Sequence, residues 1–134
     1  MNPYNFALMV FTTGSFFLAL LVLLKRQDDV GRAFFIFNIA VVAWGAFHSV
    51  EISQNITYDF ALLCARLGQA SAVFILPTWL QLTLIMNEKQ RIHRKWIIAA
   101  YLASCFIVSF AFSPWFIPRV APTPEFMYYH RRGP

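Results

Sequence analysis

Four side chains in a largely apolar sequence could do chemistry together. Trp44, His48 and Glu51 follow one another at spacings of four and three, so a helix would place them on one face. Arg66 stands beyond a short polar connection, at a position where a returning helix would bring it to similar depth. Imidazole beside carboxylate can exchange a proton near neutral pH. Guanidinium beside carboxylate can form an ion pair that lowers the cost of holding either charge away from water. The ambitious reading is a polar floor beneath a ligand site made by Trp44, His48, Glu51 and Arg66. The plainer reading, which the residue types favour, is a structural clip. In it, Glu51 and Arg66 tie two helices near a membrane interface, Arg66 snorkels outward, and His48 is a hydrogen-bonded interfacial histidine.

Other chemistries are not spelled in the sequence. It contains no GxSxG, HExxH or Walker loop and no paired-carboxylate arrangement, so it is not read as an enzyme. Cys64 and Cys105 lie in apolar segments without CxxC spacing, which gives neither a disulfide framework nor a metal site. His48 is the only histidine within a predicted span. His93 and His130 fall in loops on opposite sides, which leaves no axial pair for haem, and no cofactor is expected. Asn55-Ile56-Thr57 matches a glycosylation pattern but has no secretory context to support it.

The elements that must hold these residues follow from composition. Of 134 residues, 59 % are hydrophobic and 13 % charged, with 15 Phe. Soluble domains carry about 25 % charged residues. A soluble fold of this size would expose large apolar patches, so the chain is an all-α membrane protein. The sequence predicts four transmembrane helices at about 4–24, 33–52, 59–86 and 96–113, forming an up-down bundle within a single domain, 1–134. Pro114, Pro118, Pro122 and Pro124 break any further helix, which makes 114–134 an external loop whose Phe126-Met127-Tyr128-Tyr129 run is suited to packing on something.

Charge orients the spans. Lys25, Arg26 and Arg32 flank the first connection, and Lys89, Arg91, Arg94 and Lys95 fill the third, while residues 53–58 hold no basic residue. Positive-inside then places both termini outside, although Arg119, Arg131 and Arg132 in the tail oppose this. The net charge of +5 is thus a matter of membrane orientation, and no nucleic-acid partner is expected. Within the spans, Asn38, Gly45 and Ser49 form one stripe, Ala65, Gly68 and Ala72 a second, and Tyr101, Cys105, Ser109 and Ser113 a third. Each is read as a helix-packing surface. Pro77 inside the third helix predicts a kink, with Thr78 and Gln81 at hand to satisfy the freed groups.

The order of these features resembles the N-terminal seven-helix membrane region of bacterial sensor histidine kinases. The likeness runs through the charge-free first helix ending at Lys25-Arg26, then Gly31-Arg32 and a Phe-rich second helix with Trp44 and Glu51. It continues through Ala65-Arg66-Leu67, Pro77, Ser113-Pro114-Trp115 and the closing Gly133-Pro134. The resemblance implies a non-catalytic sensory input module of a two-component system in the plasma (inner) membrane. Its partners would be the lipid bilayer, the remaining helices and cytoplasmic output domains of a parent chain, with homodimer formation left open. Four spans without an output domain depart from the family, so a fragment of a longer chain is expected. A complete four-helix accessory subunit of a larger membrane complex is the competing reading. A small proton-coupled transporter ranks last, because no ionisable residue lies deep in a span.

Overall fold

The computed structural model describes residues 3–53, 56–113, 119–121 and 129–131. Four helices follow one another: α1 (Pro3–Lys25), α2 (Asp29–Glu51), α3 (Tyr58–Met86) and α4 (Gln90–Ala111). At about 1.5 Å rise per residue, the 23 residues of α1 or α2 reach ~35 Å, enough to cross a hydrocarbon core of ~30 Å. The helices α1, α2 and α3 are long and apolar enough to be spans, whereas α4 does not qualify. The reason lies in its first six residues, Gln90 to Lys95, which hold three basic side chains and a histidine.

Helices α2 and α4 therefore begin earlier than the apolar runs suggest, at residues 29 and 90 where 33 and 96 were expected. Both connections are tight turns with charged residues wound into the following helix. In the first turn, Asp28 caps α2 by accepting from the Gly31 amide at 2.8 Å and from Arg26 Nε at 2.7 Å. The Arg26 hydrogen bond, followed by that from Gly31, holds the exposed Asp28 carboxyl below the usual carboxylate range. Gly31 is required there, because a Cβ would strike the Arg26 carbonyl oxygen. The turn after α3 is a Schellman closure: Lys89 N–H donates to Leu84 O at 2.9 Å and Glu88 N–H to Ile85 O at 3.0 Å. Glu88 takes the left-handed position, with φ 57°, that this closure usually gives to glycine.

The broad interfaces join sequence neighbours only, α1 to α2, α2 to α3 and α3 to α4. The expected up-down order is thus present, but as a row of antiparallel helices open between α1 and α4. The interior mixes small apolar and polar residues, and the surface is far more apolar than that of a soluble domain. Asn5, Asn38, His48, Ser49, Glu51, Thr78 and Ser104 are buried, while Phe6, Phe17, Leu24, Leu76, Phe106 and many other apolar side chains face outward. Such a surface suits lipid, and the polar groups turn inward because lipid offers them no hydrogen bonds.

The tail differs from the expected plain loop. Arg119–Ala121 (β1) pairs antiparallel with Tyr129–Arg131 (β2), Val120 opposite His130, and both strands lie beside α3. Extended pairing accommodates the proline-rich surroundings that exclude helix. Pro114, Pro118, Pro122, Pro124, Trp115, Phe126 to Tyr128 and the closing Gly133-Pro134 lie outside the described residues, as does Asn55 of the glycosylation pattern.

Because Glu88 occupies a left-handed backbone position at an exposed turn, Glu88→Gly should stabilise the α3–α4 junction by about 1 kcal/mol. Denaturant titration in detergent micelles will show a higher midpoint with unchanged slope.

Candidate polar site at the α1–α2–α3 end

The end of α2 opposite its Asp28 cap collects the polar side chains. Glu51 is 2 % exposed and, with Pro77, is among the largest side chains buried below that level. His48, one turn earlier, approaches it through Nδ1 at 3.1 Å from Oε2. Trp44, one further turn back, stacks its ring on His48 with centroids 5.8 Å apart and planes 12° from parallel. Helix α1 closes the site from one side. The Tyr4 ring stands edge-on to His48 at 6.3 Å, and the Ser49 hydroxyl donates to Asn5 Oδ1. Helix α3 closes it from the other, with buried Cys64 within electrostatic reach of Glu51.

Backbone packing sets this geometry. Gly45 lies on Thr12 of α1 so closely that a Cβ would strike the Thr12 hydroxyl, and Thr12 turns that hydroxyl back onto Leu8 O at 2.8 Å. Gly68 of α3 lies against Phe47, His48 and the Trp44 carbonyl. The α2 stripe thus does pack on a neighbour: Gly45 and Ser49 face α1, while Asn38 is buried and donates to its own Phe34 carbonyl at 2.9 Å. In the α3 stripe, Ala65 and Gly68 are buried and Ala72 is partly so. The α4 stripe holds only at Tyr101, which meets α3 at Gln81. Cys105 and Ser109 are exposed, Ser109 bonding its own Cys105 carbonyl, and Ile97 and Ser104 join Tyr101 on the face turned to α3.

Pro77 is buried inside an unbroken α3. A proline removes the N–H that the carbonyl four residues earlier would receive, here that of Val73. Ser104 of α4 supplies a donor to Val73 O, with a long 3.5 Å contact. Thr78 bonds Phe74 O at 2.7 Å and Ile75 O at 3.0 Å, and Gln81 accepts from the Tyr101 hydroxyl at 2.7 Å. The two residues expected to repair the proline site therefore do neighbouring work, and the freed carbonyl is met from the adjacent helix.

The structure brings Trp44, His48 and Glu51 into one contiguous site. Arg66 follows Cys64 on α3 and is partly buried. Asn5 and Ser104 are not singled out by the sequence, which gives Tyr4 only as an aromatic at the outer interface. Asn5 is the one carboxamide in a first span without charge before Lys25, which is the signal that would have found it. Ser104 is one residue before the stripe that was chosen. Among the described residues no group of three His, Cys, Asp or Glu side chains could hold a metal ion.

Residues 7–130 match the family described as the N-terminal 7TM region of histidine kinase. The chain belongs to this family. No curated protein and no solved structure matches it. The 7TM family is a membrane region that stands ahead of histidine kinase output, which agrees with the resemblance carried by Lys25-Arg26, Glu51, Ala65-Arg66-Leu67 and Pro77. Within this four-helix chain, Trp44, His48 and Glu51 form an end-on polar site contacted by three successive helices.

Glu51→Leu removes the buried hydrogen bond to His48, whereas Glu51→Gln keeps a polar group that can bond the ring nitrogen. We expect Glu51→Leu to cost about 1–3 kcal/mol and Glu51→Gln clearly less. Unfolding midpoints of the two variants, measured side by side in the same detergent, test the order.

Proposed function

We propose that this chain is the sensory input module of a histidine kinase, non-catalytic by itself, and that a signal from outside or within the bilayer reaches cytoplasmic output domains of the same protein through a shift in helix packing. The family match over residues 7–130 carries this reading. The buried polar site supports it, because hydrogen-bonded groups in a lipid-facing protein have discrete partners, and exchanging partners gives two defined packings. In this reading α4 is a fourth span despite its basic start, the basic connections are cytoplasmic in the bacterial inner membrane, and both described ends of the row lie outside. The His48–Glu51 site is then on the outer side, where a proton or small ligand has access. Arg66 joins Glu51 as the charged clip between α2 and α3, and Pro77 is the point at which α3 can bend.

Orientation is tested with single cysteines on a background lacking Cys64 and Cys105. Asn55→Cys should react with an impermeant maleimide on intact cells, and Gln90→Cys only after permeabilisation. Reaction of both from one side would remove the four-span arrangement.

Signalling is tested in the kinase. Glu51→Leu touches no cytoplasmic segment, yet it should change the level of phosphohistidine at equal protein abundance. Equal phosphorylation in both proteins would refute a sensory role for the site.

A further inference from the structure

The antiparallel order brings two basic connections to one end of the row, opposite the His48–Glu51 site. That end holds Lys25, Arg26, Arg32, Lys89, Arg91, Arg94 and Lys95 against three acidic residues, Asp28, Asp29 and Glu88. Arg26 is engaged with Asp28. Arg91, Arg94 and Lys95 are exposed in the first turns of α4, and among the described residues none of them forms an ion pair.

Beside these charges runs an apolar stripe. Ile92 is 77 % and Trp96 70 % exposed, and their spacing of four places them one above the other on α4. Arg91 and Lys95, also four apart, flank them on the adjoining face. An exposed isoleucine and indole beside three cations are poorly suited to water. They are well suited to the boundary between acyl chains and headgroups, where indole sits at the carbonyl level and cations reach phosphate. Opposite charge and depth select the same occupant.

We propose that the first turns of α4, Arg91 to Trp96, form a binding surface for anionic phospholipid headgroups. Ile92 and Trp96 enter the acyl region while Arg91, Arg94 and Lys95 engage the phosphodiesters and the added negative charge of the lipid. Lys25, Arg32 and Lys89 raise the local positive potential around this surface. The surface explains why α4 keeps its basic residues in helix rather than in the turn: the winding holds the cations and the indole at fixed relative depth.

The test uses the whole chain reconstituted in phosphatidylcholine bilayers containing a minor fraction of phosphatidylglycerol. Bromine is placed on the acyl chains of either lipid at equal fraction, and Trp96 quenching is isolated by subtracting the Trp96→Phe protein. Brominated phosphatidylglycerol should quench Trp96 with a relative association about fivefold above that of phosphatidylcholine, roughly the factor expected from one well-placed basic residue. The triple variant Arg91→Gln, Arg94→Gln, Lys95→Gln should bring the ratio to about one, and Arg→Lys replacements at 91 and 94 should preserve it. High salt should lower the ratio in the unsubstituted protein, a measurement independent of any variant. Equal quenching by both lipids, or a preference that survives the triple variant, would overturn the proposal. Loss of the preference on adding inorganic phosphate at constant ionic strength would also overturn it, because the surface would then be a site for soluble anions.

Discussion

A carboxyl group buried beneath a lipid-facing surface must be held by its neighbours, and much of this fold can be understood from how Glu51 is held. The bilayer offers Glu51 neither water nor a hydrogen bond, and an unsatisfied polar group there costs several kcal/mol, on the order of the whole stability of a small domain. His48 answers from the same helix at 3.1 Å, but a histidine needs fixing in turn. Trp44 stacks on it and Tyr4 meets its edge. For Tyr4 and Asn5 to reach α2, α1 must approach closely, and Gly45 against Thr12 permits that approach. For α3 to seal the other side, Gly68 must lie against the backbone at Trp44 and His48. Small residues in the middle of the spans and polar residues at their end are thus two parts of one requirement.

The same requirement operates at Pro77. A proline in a soluble helix can leave its orphaned carbonyl to water. In a membrane-spanning α3 the Val73 carbonyl needs a protein donor, and Ser104 provides one from α4. With Tyr101 donating to Gln81 close by, the α3–α4 contact is polar at two levels. Hydroxyl contacts of this kind are individually modest in membranes, about 0.6 kcal/mol on average. The contact at Val73 is long as well. Helix α4 is therefore held to α3 by one short hydroxyl bond at Gln81 and one long one at Val73.

Much of this was legible in the sequence, for physical reasons that differ from element to element. The four helices were readable because lipid demands long apolar runs. The Trp44, His48 and Glu51 cluster was readable because spacings of four and three on a helix fix a common face. Helices α2 and α4 start four and six residues before the expected positions, whereas α1 and α3 start within one residue of theirs, because charge does not by itself mark a connection. Asp28 and Gly31 show that the turn is set by a cap and a close backbone approach, and the charged residues that follow wind comfortably into helix. The α4 face is right at Tyr101 and wrong one turn later, where Ser104 and not Cys105 meets α3. Small and hydroxyl residues at spacings of four describe a stripe, but Ser109 satisfies its hydroxyl on its own helix and has no need of α3. The partner of the Val73 carbonyl was not legible, because a proline announces which carbonyl it orphans but not which helix will answer it. The strand pair in the tail was missed because proline-rich sequence excludes helix without excluding short extended pairing.

The two ends of the row are chemically opposite, and this bears on how a signal could cross it. One end buries its polar groups among three helices, where a change in protonation or occupancy alters specific partners. The other end spreads exposed cations and an indole, where position is set by the surrounding surface. Helix α3 joins them, with Cys64 and Gly68 near the first end, Pro77 between, and the Schellman turn at Glu88 leading into the basic start of α4. An interior of discrete polar bonds does not deform continuously. If the chain is the sensory module proposed above, a polar cluster at one end, the Pro77 bond in the middle and a basic segment at the other are the parts a two-state relay would use.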